Sequence, residues 1–467
     1  MQKEKQQLLF TKRQIAAIIL PLLLQNLLSI AIGMADSIMV SNKGEAAFAG
    51  VSLVNSLDTV LVTLFSALTA GGSVVLAQAM GRRDREYACK ASKQMLYATT
   101  IIAAAISTVV ILLRVPILKL LFGEVEADVL ENALAYFFFV ALSFPFLAIE
   151  NSVAATLRAQ GDSMTSLKIS ILMNLLNVAG NAVLIYGLDL GAAGAAIATL
   201  FSRMTGAVIK LLIIRNPNRY IHVARLFRYR PDGAMIKAIL NIGVPNGVEN
   251  TMFQFGRLMT SSLVSSLGTV AIAANAAALS LANLQYSTGS AVQSSMVAVV
   301  GRCVGAREKE QAKYYTRVLL GIAYGAVLIV VILLTVFAKP LLRFYGLSQE
   351  TATIARQLLL YHGAVSVLIW PIGFCLPSAI RAASDVKFTM VVSVFSMWVF
   401  RVALAYWMAK ESLSLFGILS FPGLGMSVMG VWVAMTVDWG FRTALFLWRF
   451  VSGKWLTKYQ DIPSKTL

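Results

Sequence analysis

Residues 101–113 read Ile-Ile-Ala-Ala-Ala-Ile-Ser-Thr-Val-Val-Ile-Leu-Leu, with no charge and only the hydroxyls of Ser107 and Thr108 as polar side-chain groups. A strand of a membrane barrel would alternate apolar and polar residues over about 10 positions. This run does not alternate, so it reads as helix. It lies within an apolar stretch, 92–122, longer than the roughly 20 residues a helix needs to cross a bilayer. Eleven further stretches have the same character: 14–41, 51–79, 129–156, 165–187, 192–214, 236–266, 272–302, 315–345, 350–379, 388–410 and 427–450. Those above 25 residues must tilt, kink or project beyond the lipid. The expected fold is an all-α integral membrane protein with twelve transmembrane helices, and strands are not expected.

Composition points the same way. Of 467 residues 58% are hydrophobic and 13% charged, and the mean hydropathy is +0.74, whereas globular domains carry about 25% charged residues. A soluble chain this apolar would expose surface it could not cover. Soluble enzymes, nucleic-acid-binding proteins and disordered chains are thereby excluded. The net charge of +18 and pI near 9.9 fit basic cytoplasmic loops better than a nucleic-acid surface. Cys89, Cys303 and Cys375 give neither a disulfide framework nor metal-ligand spacing, and His222 and His362 cannot build a histidine metal cluster. No metal is expected, and no cleavable signal peptide, because the start is basic (Lys3, Lys5, Lys12, Arg13) and the first apolar stretch is too long.

Orientation follows from the basic residues. With both termini inside, only Lys43, Arg114, Lys119, Lys339, Arg343, Arg356 and Lys410 fall in outer segments, Arg257, Arg401 and Arg442 fall inside helices, and the other 30 of the 40 lysines and arginines are inner, eight of them between Arg203 and Lys237. Basic loops favour the cytoplasmic side, which predicts a multi-pass protein of the cell's inner (plasma) membrane whose inner loops meet anionic lipid headgroups.

A shift of 224 residues aligns the two halves: Pro21 falls on Pro245, Asn26 on Asn250, Val40-Ser41 on Val264-Ser265, Gly44 on Gly268, and Gly81-Arg82-Arg83-Asp84-Arg85-Glu86 on Gly305-Ala306-Arg307-Glu308-Lys309-Glu310. Roughly a quarter of positions match there, far above chance at a fixed offset. Leu157-Arg158-Ala159 with Asp162 is echoed by Ile380-Arg381-Ala382 with Asp385. The chain is therefore expected as two pseudo-symmetric six-helix bundles in parallel repeat: a cytoplasmic tail 1–13, an N-lobe 14–214, a basic cytoplasmic linker 215–235, a C-lobe 236–450 and a cytoplasmic tail 451–467. Such repeats suit alternating access, although a duplication without moving parts is the other reading.

The order and spacing of four pieces resemble the multidrug and toxic-compound extrusion (MATE) family: Met34-Ala35-Asp36-Ser37-Ile38-Met39-Val40, Ala77-Gln78-Ala79-Met80-Gly81-Arg82-Arg83-Asp84, Leu157-Arg158-Ala159-Gln160-Gly161-Asp162 and Ile380-Arg381-Ala382-Ala383-Ser384-Asp385. The resemblance covers about residues 10–450. It implies a polyspecific exporter that exchanges cytosolic organic compounds, often cationic, for H⁺ or Na⁺. A major-facilitator transporter fits less well, because its loop pattern after helix 2 is only partly imitated by Gly81–Arg85 and the ends of helices 4 and 10 do not match.

Charges within spans need a reason, since one at the bilayer centre costs roughly 2.5–3.5 kcal/mol. Asp36 is the first candidate for ion coupling. It lies about 22 Å along the helix from Pro21, in the outer half, among apolar and small residues. Desolvation there favours its neutral form, as an H⁺ carrier requires; ionised and ringed by oxygens, it could hold Na⁺. The alternative is an interfacial residue bathed in water. Asn177 and Asn181 on helix 5 share a face and serve either the site or helix–helix hydrogen bonding.

The family's N-lobe site joins a helix-1 Asp to an Asn and an Asp on helix 5 and a Thr on helix 6. By that match Asn177 and Thr199 are retained, and Asn181 stands where the family has its second carboxylate. One carboxylate in place of two favours H⁺ over Na⁺. The acids that a sodium-coupled branch of the family carries on helices 7 and 10 are not matched here: Glu249 falls opposite Gln25, and Trp370-Pro371 occupies the helix-10 region. Coupling in the N-lobe is therefore expected, and the family's bending of helix 1 makes Pro21 a hinge candidate.

A substrate cleft is expected to involve Glu150, Asn151, Glu249, Phe253, Arg257, Tyr286 and Met296. Glu249 and Arg257 are about 12 Å apart along a helix, too far to pair. Glu249 therefore either attracts cations from the cytosol or bridges to another helix. Phe253, Tyr286 and Met296 suit a pocket for flat cationic compounds. Asp438 and Arg442 are spaced to pair with each other, Arg401 is read as reaching a helix end, and Asp58 as a helix–helix contact. Trp398, Trp407, Trp448 and Trp455 are placed near membrane interfaces.

No phosphate loop, Gly-x-Ser-x-Gly elbow or His-Glu-x-x-His pair is present. The chain is read as no enzyme, with no catalytic residues and no cofactor. Its partners are small organic substrates, membrane lipids and a coupling ion, H⁺ or Na⁺, with no nucleic acid, and it acts as a monomer. The other reading is a lipid-linked precursor flippase of the same superfamily. Such flippases usually have 14 spans and a strongly cationic cleft, and few buried cations beyond Arg257 are expected here.

Overall fold

The computed structural model describes residues 8–123, 126–224, 230–343, 345–415 and 419–457. The expected tails lie outside the described residues at 1–7 and 458–467, as does 225–229 of the linker. In the first half run α1 (Lys12–Ser41), α2 (Glu45–Gly81), α3 (Arg85–Phe122), α4 in two pieces (Ala127–Leu142 and Phe144–Gln160), α5 (Ser163–Gly187) and α6 (Gly191–Ile214). The second half holds α7 (Gly233–Ser265), α8 (Thr269–Gly305), α9 (Lys309–Val336), α10 (Gln349–Ala382), α11 (Val386–Ala409) and α12 (Ser427–Val451), with a short helix Ala338–Arg343 behind α9.

Each helix falls on one of the apolar stretches, with three departures. The stretch expected as one helix over 129–156 is broken, its pieces meeting at 43°. Pro145 has no N–H to give the Ala141 carbonyl one turn back, and that carbonyl instead accepts the Ser107 hydroxyl at 2.7 Å. Second, a small antiparallel hairpin, β1 (Ser412–Leu415) and β2 (Leu419–Pro422), joins α11 to α12. Its first strand reads Ser-Leu-Ser-Leu, an alternation of period two. Third, among the described residues eight helices are long and apolar enough to cross a membrane, or nine with the bent pair. The remaining three, α7, α8 and α12, carry polar and charged residues, among them Glu249, Arg257, Gln285, Asp438 and Arg442. Trp455, expected at an interface, is fully buried and stacks on Phe450 at 5.6 Å.

The repeat is visible in the backbone. Gly44 and Gly268, 224 residues apart, both open a helix at positive φ, and Arg83 and Arg307 both take a left-handed turn (φ 59° and 62°). Gly161 and Ser384 do the same at φ 85° and 67° after α4 and α10.

The chain divides into two compact units, one from Phe10 to Gly247 and one holding Val248–Leu467 together with Met1–Leu9. The division falls inside α7 rather than in the basic linker. The first part of α7 packs on α2 so closely that a Cβ on Gly71 would lie 2.5 Å from the Ile239 carbonyl oxygen and 2.6 Å from the Gly243 nitrogen. In the first unit, small residues and hydroxyls bring helices together as in membrane bundles. Gly50 lies against the backbone of Val129 and Ala133, and Thr99 bonds Ser152 at 2.7 Å and Ser92 bonds Thr156 at 3.0 Å. Phe65 and Phe144 meet at 5.6 Å in its core.

The paired motifs after α4 and α10 are anchors. Asp162 caps α5, accepting from the Thr165 N–H at 3.0 Å and hydroxyl at 2.7 Å, and pairs with Arg219 at 2.8 Å. Asp385 opens α11 and pairs with Arg449 at 2.7 Å. Burial raises the Asp162 carboxyl, but donors from Arg219 and Thr165 together outweigh it and hold the group below its ordinary 3.8. Its stabilisation is therefore full above that value and lost as pH falls through the lowered one. Asp162→Ala is expected to lower stability by about 1–2 kcal/mol at neutral pH, read by thermal melting in detergent. The gap from wild type should close as pH is taken below 3.8.

Candidate coupling site and polar clusters

Asp36, on α1 five residues before Ser41, meets α5. Asn177 and Asn181 are one turn apart on α5, and both are buried. The Asn181 amide donates to Asp36 Oδ1 at 2.6 Å. The Asn177 amide is oriented by its network: its nitrogen donates to Asp36 Oδ1 and Oδ2 at 3.0 and 3.1 Å, and its oxygen accepts the Thr199 hydroxyl at 3.2 Å. Asp36, Asn177, Asn181 and Thr199 thus come together within the first unit. Small residues on α6 let α5 approach, Gly180 lying over Ala198 and Gly194 against Leu184. Immediately after Asn181 the α5 backbone widens into a π turn over Ala182–Gly187, a feature common at functional sites. The end of α1 is tied to the end of α5 by Lys43–Asp189 at 2.6 Å, by Asn42 donating to Tyr186 Oη at 3.1 Å, and by Tyr186 Oη donating to the Met39 carbonyl at 3.2 Å.

The arrangement is one carboxylate held by neutral amide donors. Around it, Asn181 Oδ1 is buried with no hydrogen-bond partner among the described residues, an acceptor left beside the carboxylate. Pro21 is buried and α1 runs unbroken through it.

Glu150 and Asn151 lie elsewhere. The Glu150 carboxylate is held at 2.8 Å by Lys210, a fully buried cation within α6, about 16 Å along that helix from Thr199. Asn151 leaves its amide nitrogen buried without a partner among the described residues. Asp58 pairs with Arg203 at 3.5 Å, and Arg203 also donates to Ser143 Oγ at 2.8 Å. Lys210 and Arg203, counted from sequence among the inner-loop cations, are therefore helix-borne and matched.

In the second unit, Glu249 is gripped by Arg381 Nη1 at 3.3 Å to each oxygen, so its charge is offset rather than offered to a cation. Asp438 accepts from Arg442 Nε at 2.7 Å and from Ser396, and its other oxygen faces Arg401 at 4.0 Å. Arg401 thus reaches a carboxylate rather than a helix end. Met296 is fully buried within α8, away from the residues that line the cavities of the second unit. Phe253, Arg257 and Tyr286 do line one, a cavity of about 200 Å³ walled also by Trp370, Phe374, Arg401 and Trp439. The expectation of few buried cations fails: Lys210, Arg401 and Arg442 are all buried. The sequence places Lys210 with the inner-loop cations, Arg401 at a helix end and Arg442 on Asp438, so their shared burial emerges only in the fold.

Removing the Glu150 carboxylate while Lys210 stays buried is expected to cost about 3 kcal/mol or more. Glu150→Leu should therefore lower the melting temperature sharply, and Glu150→Leu with Lys210→Met should recover most of the loss. Additive losses in the double variant would contradict the pairing.

The family model MatE matches residues 21–183 and again 245–407, once in each half. The chain is 26% identical over 448 residues to the uncharacterized transporter YisQ of Bacillus subtilis (strain 168), covering 94% of each chain. It is 25% identical over 456 residues to the probable multidrug resistance protein NorM of Thermotoga maritima, covering 95% of this chain and 93% of that one. Its fold matches a solved structure described as the outward-facing conformation of a multidrug resistance MATE family transporter of the MOP superfamily, with TM-score 0.86, 20% identity and coverage of 96% and 97%. A second, of MATE in the bent conformation, matches with TM-score 0.85, 21% identity and 96% coverage of both chains. With the family model matching both halves and the twelve-helix fold shared, the chain belongs to the MatE family of membrane transporters.

Proposed function

We propose that this protein is a secondary multidrug efflux antiporter of the cell's inner membrane, both termini cytoplasmic, exporting small organic compounds in exchange for H⁺, with Na⁺ the less favoured ion. Relatives named multidrug resistance proteins along nearly the whole chain support the efflux part. The single observation that carries ion coupling is the Asp36 carboxylate held by Asn177 and Asn181. Amides bind its ionised form, and protonation breaks the charge assistance in those bonds. Gaining or losing one proton therefore changes how firmly α1 is fastened to α5. Pro21, with no N–H to complete the ladder, is where α1 would yield when that fastening changes. A lone carboxylate with neutral oxygens is a weak sodium site, since a hard cation favours several charged or carbonyl oxygens. The chain holds both repeats and acts as a monomer, with no cofactor.

The flippase reading gains from the buried arginines of the second unit. The twelve helices and the family relatives favour efflux.

Inside-out vesicles carrying an imposed proton gradient, then a sodium gradient, separate the possibilities while efflux of a fluorescent organic substrate is followed. Asp36→Asn should abolish gradient-driven exchange while leaving the melting temperature close to wild type. Undiminished exchange in that variant would remove Asp36 from coupling. Asn181→Asp, which adds a second carboxylate, should make a sodium gradient at least several-fold more effective.

A further inference from the structure

We propose that the second unit carries a binding site for an organic anion with a flat aromatic body, its charged group seated between Arg257 and Arg401. The proposal deepens the efflux reading by naming a substrate class, and it rests on that reading only for the direction of transport.

The charge balance is the first argument. Three cavities of the second unit, of about 50, 130 and 200 Å³, share walls. Four arginines line them, at 257, 381, 401 and 442. Two acids face these arginines, and both are engaged: Glu249 by Arg381, and Asp438 by Arg442 with Arg401 at 4.0 Å. Arg257 makes no ion pair with any described residue, and Arg401 shares a carboxylate already taken. The walls therefore hold two positive charges in excess, and those two arginines line the same two cavities. Buried Arg401 is only partly matched, because its carboxylate is shared with Arg442, and exposed Arg257 lines the same cavities without a pair; an anion would meet both.

The second argument is the shape of the wall. Trp370 stacks between Tyr286 and Phe374, at 5.9 and 5.2 Å with ring planes within 20° and 15°. Trp439 meets Tyr286 and Phe374 edge-on at 6.3 and 5.7 Å. Gly289 leaves the room that the Trp370 ring fills, since any Cβ there would collide with it. Aromatic faces beside guanidinium groups, with Arg401 5.3 Å from the Phe253 ring, suit a planar acid, its ring against the wall and its carboxylate on the arginine forks.

The third is the repeat. The 224-residue shift that aligns the first helices of the two halves carries Asp36 onto Thr260, and Thr260, Arg401 and Arg257 line one cavity. The position that holds the acid in the first unit holds a hydroxyl in the second, beside two arginines. The repeat has thus lost the acid at this position in the second unit.

The test uses the full chain in phosphatidylcholine nanodiscs and titration calorimetry with three probes of one shape: 2-naphthoate, 2-naphthamide and the 2-naphthylmethylammonium ion. Naphthoate should bind at least tenfold tighter than either of the others, and Arg257→Glu should weaken it at least tenfold. Arg257 is exposed, so this variant should fold with an unchanged melting temperature. Arg401→Gln, melting checked alongside, should weaken naphthoate in the same sense. Equal or tighter binding of the ammonium ion, or unaltered naphthoate affinity in Arg257→Glu, would overturn the proposal. Loss of naphthoate binding in phosphatidylglycerol nanodiscs would assign the anion site to a lipid headgroup and overturn the aromatic-substrate part. Binding is read without any gradient, so intact selectivity in a chain that fails to transport would count against the efflux reading alone.

Discussion

A charge inside an apolar bundle must be met by a partner, and this requirement organises the polar interior of the chain. Insertion of a lone ionised side chain is costly, and within the first unit three such charges are answered. Lys210 takes Glu150, Arg203 takes Asp58, and Asp36 takes two asparagine amides. The first two are cation–carboxylate pairs that sum to zero and fix helices in place. Asp36 differs because its partners are neutral. Its charge is solvated but not cancelled, so it remains free to be cancelled by something that comes and goes.

The local architecture follows from that need. Small residues along α6 bring α5 close, the π turn after Asn181 re-aims the end of α5, and the Lys43–Asp189 bridge with Asn42–Tyr186 ties the end of α1 beside it. In the second unit the balance tips the other way, since arginines outnumber the acids that face them around an aromatic cavity.

Much of this was legible in the sequence. The apolar runs located every helix because a membrane forces backbone bonding to be satisfied within each segment, and the repeat appeared because turns need particular residues at particular φ, as at Gly44 and Gly268. The cluster of Asp36, Asn177, Asn181 and Thr199 was reached through the family pattern, since nothing in linear spacing brings residues 145 positions apart into contact. Loops hid the rest. Arg203 and Lys210 lie inside the apolar stretch 192–214 yet count with the inner-loop cations by charge pattern; on α6 Lys210 is buried and Arg203 half-buried. Glu249 looked unpaired because its partner, Arg381, is 132 residues away. The break in α4 lies at Pro145, but the Ser107 hydroxyl that satisfies the freed carbonyl comes from another helix, a tertiary fact.

The most direct measurement of the central claim is infrared difference spectroscopy of the reconstituted protein across a pH titration. A protonated-carboxyl band should grow in on acidification, vanish in the Asp36→Asn background and shift in frequency when Asn181 becomes Leu, because that amide donates to the carboxylate. Absence of any band assignable to Asp36 over the pH range in which the protein transports would contradict the account.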